Sequence, residues 1–181
     1  MIIIGVTGGI AAYKAASVVS VLVKRNYPVK VIMTESAKQF ITPLTFSALS
    51  HNPVYGDHNR FANDGHIHHI ELAEEAKVMA IVPATYNTIR KLINGTLDNL
   101  LLNTLIAFRG MGKPIIICPA MNTNMWNDLG FFQDGIPIMR KGHVIIVKPR
   151  EGTLACGSKG MGIIAHTTNI VDAIIDAYEK N

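Results

Sequence analysis

The chain has 181 residues, 49% of them hydrophobic and 17% charged, with a formal net charge of +4. That length favours a single domain spanning 1–181, and that balance excludes a disordered chain. A mean hydropathy of +0.25 raises the question of a membrane span, but no apolar run approaches the ~18 residues one requires.

The apolar residues come in short bursts. Ile2–Thr7, Val29–Met33, Val78–Val82, Pro114–Cys118 and Val144–Val147 read as strands, with a shorter sixth near Pro53–Tyr55. Uninterrupted apolar strands fit a sheet buried on both faces. Helical spacing covers Ala11–Arg25, where Val18, Val19, Leu22 and Val23 share a face, and recurs over Asn87–Leu92, Asn99–Phe108 and Thr168–Tyr178. Strands alternating with helices predict an α/β fold, a doubly wound parallel sheet of five to six strands in three αβα layers. Ligands of such sheets bind beyond the carboxyl ends of the strands, so the segments after each strand carry the functional argument.

Thr7-Gly8-Gly9-Ile10 follows the first strand. Glycines at a strand-to-helix turn let backbone approach a phosphate, although a tight packing turn has the same composition. It is neither GxGxxG nor a Walker sequence. After the second strand, Thr34-Glu35-Ser36 offers a carboxylate for a ribose, hydroxyls for a phosphate, or a plain helix cap. After the third long strand, Thr85-Tyr86-Asn87 leaves room for a flat ligand, with a cap again as the alternative. Pro119-Ala120-Met121-Asn122-Thr123-Asn124-Met125-Trp126 crowds two methionines and the sole tryptophan at a strand end, where Asn122 needs a partner.

His66, His68 and His69 stand close together, but without a second ligand cluster a metal site is disfavoured. One functional histidine among exposed ones is the better reading. In Leu154–Gly162, three glycines point to a mobile loop with the Cys156 thiol at its base. Cys118, inside a strand, reads as a buried apolar residue. Two distant cysteines argue against a disulfide framework, and the amino-terminal segment lacks the pattern of a secretory signal. Both favour a cytoplasmic protein. The basic residues form no stripe and no nucleic-acid motif, so neither nucleic acid nor membrane is an expected partner.

Together these segments resemble the homo-oligomeric flavin-containing cysteine decarboxylases over roughly Ile2 to Ala177. The resemblance rests on the Thr7–Lys14 turn, HIEL at His69–Leu72, PATYNT at Pro83–Thr88, DNLL at Asp98–Leu101, PAMNTNMW at Pro119–Trp126 and ACGSKGMG at Ala155–Gly162. It implies a Rossmann-like sheet and FMN, with Gly8, Gly9, Ile10, Thr34 and Ser36 toward the phosphate. Thr85, Tyr86, Asn87 and Ala120 would surround the flavin. It also implies that His69 is catalytic, that Asn122 orients the substrate carboxylate and that Cys156 is the flap acid.

The branch most resembled serves coenzyme A biosynthesis. It decarboxylates a small phosphorylated acyl-cysteine through thioaldehyde and enethiolate intermediates. Its members are trimers or trimer-based dodecamers, in which His69 and the Asn122/Cys156 pair would come from neighbouring protomers. A separate synthetase polypeptide would make the substrate. Three positions depart from the usual family pattern: Gly9 replaces a serine, Tyr86 a small residue and Lys77 a frequent aspartate. A peptidyl-cysteine decarboxylase of lantibiotic maturation shares the flavin and histidine but does not need the cysteine acid. A flavin prenyltransferase lacks the PAMN segment. A non-catalytic FMN-binding regulatory protein would lose part of the catalytic set.

Overall fold

In the computed structural model, residues 1–60, 65–129 and 143–181 are described. Six strands form one parallel sheet: β1 (Ile2–Val6), β2 (Val29–Met33), β3 (Val54–Tyr55), β4 (Val78–Ala84), β5 (Ile115–Pro119) and β6 (Val144–Ile146). Their order is β3-β2-β1-β4-β5-β6. Every pairing is parallel. β1 and β4 are buried at every position, which is why they read as uninterrupted apolar runs.

Helices cover both faces. On one side α1 (Ala12–Lys24), α2 (Pro43–Ser50) and a carboxyl-terminal helix (Thr167–Glu179) pack through Val18, Leu22, Phe46, Ile170 and Ile174 onto Ile2, Ile4 and Val31. On the other, α3 (His68–Glu75), α4 (Tyr86–Asn94) and α5 (Leu100–Gly110) bury Leu72, Ile89, Leu101 and Phe108 against Ile3, Met79 and Ile117. Gly5 lets α5 lie close to β1. A Cβ there would stand 2.5 Å from Leu101 Cδ1 and 2.7 Å from Ile81 Cδ1, well inside contact distance.

A short helix, α6 (Thr123–Asp128), follows β5, and α7 is the helix at Thr167–Glu179. Between β6 and α7, β7 (Arg150–Thr153) and β8 (Lys159–Ile163) pair antiparallel as a separate hairpin. The glycine-rich segment expected to be a mobile loop therefore belongs to this hairpin. Cys156 stands in the turn at its tip rather than at a base. The turn closes through Leu154 N–H to Ser158 O at 2.8 Å and Gly157 N–H to Leu154 O at 2.9 Å.

The chain leaves β1 toward one face and β4 toward the other, so the sheet's topological switch point lies between them, where a ligand crevice opens. Thr7, the residue after β1, is 1% exposed. Its hydroxyl donates to Pro83 O at 2.7 Å and accepts from Thr85 N–H at 3.3 Å. One side chain thus ties the ends of both strands together beneath the crevice. Replacing it as Thr7→Val keeps the shape but orphans a buried carbonyl and a part-buried N–H. The loss should be about 1–3 kcal/mol of unfolding free energy, measured by urea denaturation; an unchanged midpoint would count against the tie.

Candidate functional site

A cleft of ≈ 770 Å³ lies over the carboxyl ends of β1, β4 and β5. The β1–α1 turn supplies Gly8, Gly9 and Ile10, the first turn of α1 supplies Lys14, and Ser36 faces the turn from after β2. Pro83, Thr85, Tyr86 and Asn87 follow β4, and Ala120, Met121, Asn122 and Met125 follow β5. The hairpin closes the far wall with Arg150, Thr153, Cys156 and Ile163.

At the β1–α1 end, Gly8 is required by its neighbour: a Cβ there would stand 2.5 Å from both Cβ and Oγ of Ser36. Gly9 is under no such constraint, since its Cβ would meet only Thr85 Cγ2 at 3.4 Å. The 13-residue α1 begins at this turn, and no side chain caps it. An uncapped helix start beside a Gly-Gly turn and a serine hydroxyl makes a cradle for a phosphate monoester. Thr34 lies outside the cleft wall. Its Oγ1 accepts from Ala37 N–H at 3.3 Å and sits 3.2 Å from Ser36 Oγ, so it acts as a helix cap that supports Ser36.

Thr85 also caps a helix, accepting Thr88 N–H at 3.4 Å. Tyr86 turns its hydroxyl out of the cleft and donates it to Asp128 Oδ2. Arg90 closes this network, with Nε donating to Tyr86 Oη at 3.1 Å and Nη2 to Asp128 Oδ2 at 3.1 Å. The Tyr86 hydrogen bond, then Arg90, hold the Asp128 carboxyl below its usual range. The larger residue at 86 thus braces α4 against α6.

Asn122 is the N-cap of α6, its Oδ1 accepting Met125 N–H at 2.9 Å. That commitment of the oxygen fixes the amide orientation and turns Nδ2, a pure donor, to other use. The hairpin lies directly on this segment. Met121 N–H donates to Gly162 O at 3.1 Å and Thr123 Oγ1 to Met161 O at 3.0 Å. A Cβ on Gly162, whose φ is +141°, would fall 2.1 Å from Met121 O. This glycine contact brings Asn122 and Cys156, 34 positions apart in the chain, to the same end of the cleft. They also share a smaller cavity of ≈ 220 Å³ with Ser158 and Lys159.

Cys156 Sγ lies 3.1 Å from Ser158 Oγ and is exposed. The Ser158 hydrogen bond lowers the Cys156 thiol from its ordinary range, because a donated O–H favours the thiolate. Burial pushes the Cys118 thiol far up instead, which leaves it inert as expected.

His69 does not join this cleft. It stands half-buried at the start of α3 and is not among the cleft's lining residues. The other two histidines are engaged locally. His66 Nδ1 bonds Glu71 at 2.9 Å, and the His66 and His68 rings stack at 5.6 Å. No cluster of metal-ligating side chains occurs among the described residues. The structure therefore gathers Gly8, Gly9, Ile10, Ser36, Thr85, Tyr86, Asn87, Ala120, Asn122 and Cys156, and leaves His69 and Thr34 aside. Lys14, Met121, Met125 and Arg150 are additions that only the fold reveals.

A flavoprotein family model matches residues 1–179, and the chain belongs to that family. It is 42% identical over 170 residues to the coenzyme A biosynthesis bifunctional protein CoaBC of Bacillus subtilis, covering 94% of this chain and 41% of that protein. It thus spans less than half of that bifunctional relative. It is 38% identical over 173 residues to a probable phosphopantothenoylcysteine decarboxylase of Streptococcus mutans, covering 96% of each. Among solved structures, a PPC decarboxylase variant complexed with pantothenoylaminoethenethiol superimposes with a TM-score of 0.87 at 27% identity, over 98% of this chain and 97% of that one. The FMN-binding protein AtHal3 gives 0.83 at 27%, over 99% and 97%.

Removing the hydroxyl beside the thiol, as Ser158→Ala, should raise the pH at which Cys156 ionises. The rate of iodoacetamide alkylation against pH reads this directly, Cys118 being buried. An unmoved profile would show that Ser158 does not act on the sulfur.

Proposed function

We propose that the chain is an FMN-dependent carboxy-lyase that converts 4'-phosphopantothenoylcysteine to 4'-phosphopantetheine and CO2 in coenzyme A biosynthesis. The observation that carries this reading is the convergence of Asn122 and Cys156 at one end of a cleft whose other end is a phosphate cradle. Family membership and the names of the full-length relative and of the structural neighbour support it.

The residues present fit FMN. The Gly8–Ser36 contact leaves a space that a Cβ would fill, beside an uncapped helix start. Beyond it, Tyr86, Ala120, Met121 and Met125 give apolar surface for a flat ring. When bound, FMN supplies a reversible two-electron oxidation of the substrate's thiol-bearing carbon, which gives the departing CO2 an electron sink.

The protein's own groups do the rest. Asn122 Nδ2 donates to the substrate carboxylate. Its neutral amide orients that group without the strong ground-state stabilisation a cation would add. Cys156 Sγ holds the proton required after CO2 has left, and its lowered affinity for that proton makes it a readier donor. Being on a hairpin tip, it stands in the wall of the cleft beside Asn122. This acid favours the reductive product over the enethiol of a peptidyl-cysteine decarboxylase.

His69 completes the set from a neighbouring protomer, as base or as partner of the carboxylate. Its position outside the cleft of its own chain supports that arrangement. The assembly is a homo-oligomer built on trimers, and the pathway reading carries a cytoplasmic location with it. No helix among the described residues is long and apolar enough to cross a membrane.

Purified protein should be yellow and should turn phosphopantothenoylcysteine into phosphopantetheine. Cys156→Ser should still release CO2 yet accumulate the unreduced enethiol, which mass spectrometry distinguishes by two hydrogens; normal product from this variant would remove Cys156 from the role. His69→Asn should abolish CO2 release while the flavin stays bound. Co-expressing His69→Asn with Cys156→Ser should restore part of the turnover in mixed oligomers. Mixed oligomers that stay inactive would argue against a site shared between protomers.

A further inference from the structure

Among the described residues the cleft is lined by two cations, Lys14 and Arg150, and by no carboxylate. Lys14 lies in the first turn of α1, five residues after Gly9, with its ammonium 5.0 Å from the centre of the Tyr13 ring. Arg150 stands apart from it. It opens β7, opposite Ile163 of β8, and the residue is half-buried. Nε donates to Ile164 O at 3.2 Å, which anchors the plane of the group and leaves the two terminal nitrogens for other acceptors. No carboxylate among the described residues pairs with it. A cation held partly away from water without a counter-charge is costly. A planar fork of donors is also the shape that grips a phosphate monoester through two oxygens.

The hairpin gives this cation a defined relation to the chemistry. Arg150 is at its base and Cys156 at its tip. With a rise of roughly 3.3 Å per strand residue, the two are on the order of 10–15 Å apart. The proposed substrate has its reactive cysteine at one end and its phosphate at the other. Laid along β7 with the cysteine end between Asn122 and Cys156, it brings the phosphate to the hairpin base. The cofactor phosphate already has its own donors at Gly8, Gly9 and Ser36.

We propose that Arg150 determines specificity for the phosphorylated substrate by binding its terminal phosphate. This rests on the function proposed above, but it can fail on its own. The test is calorimetric binding of 4'-phosphopantothenate and of pantothenate, two cysteine-free probes, to the flavin-loaded protein. Wild type should prefer the phosphorylated probe. Arg150→Met, which keeps the apolar stem, should weaken that probe about 10- to 100-fold, the worth of a charge-assisted contact, and leave pantothenate unchanged. Arg150→Lys should lose several-fold, again on the phosphorylated probe alone, and carries the test if the methionine variant does not fold. A phosphate preference that survives either change overturns the proposal, as does equal weakening of both probes. Loss of FMN with retention of riboflavin overturns it too, by assigning Arg150 to the cofactor. Wild-type protein that decarboxylates nothing would sink the function instead.

Discussion

The site depends on a reversal of direction in the sheet. From β1 the chain passes to one face and from β4 to the other, and the two strands lie side by side. Where they part, backbone groups would be exposed to the crevice. The Thr7 hydroxyl takes up that slack, giving its proton to Pro83 O and its lone pair to Thr85 N–H. Because Thr7 is buried, these bonds form in a weakly screening environment and leave little freedom at the two strand ends. The Gly8–Ser36 contact and the Thr85 cap inherit their positions from that tie.

The second organising contact sets hairpin backbone against the segment after β5. The hairpin touches the segment after β5 at Gly162 and Gly160, both at positive φ and both lacking room for a side chain. Without it, Asn122 and Cys156 would belong to separate surfaces. The arrangement also explains why two chemically weak groups suffice. One is a neutral amide whose oxygen is already engaged, and the other an exposed thiol whose proton is loosened by a nearby hydroxyl. Neither disturbs the fold through a buried charge, and each acts by where it is held.

The sheet was readable because parallel strands covered on both faces leave continuous apolar runs. All six, down to the two-residue β3, sit where those runs lie. Helices with a clear apolar stripe were equally visible. Helices α2 and α3 were not: the first buries only Phe46 and Ser50 and the second only Leu72 and Ala73, too few to set a period, and Pro43 at the first position of α2 was the available signal there. The hairpin was read as a loop because glycine ordinarily argues against strand interiors. Its glycines answer instead to Met121 and Thr123, neighbours in space alone. For the same reason Arg150 and Lys14 could not be assigned to a cleft from sequence. Thr34 illustrates an ambiguity that sequence leaves open. A hydroxyl after a strand serves a ligand or a cap, and composition does not separate the two. His69 was picked out by its motif, but one chain does not bring it to the others.

The bond between Asn122 Oδ1 and Met125 N–H bears on inhibitor chemistry. A carboxamide free in solution rotates and offers either pole to a guest. This one has its acceptor pole tied to the start of α6, and turning it over would set NH2 against an amide hydrogen. Compounds built for this pocket should therefore present an acceptor at that point, such as a sulfonyl, a tetrazolate or a hydroxamate oxygen. Amines and alcohols that need to give a proton there must compete for the second lone pair of an oxygen already engaged.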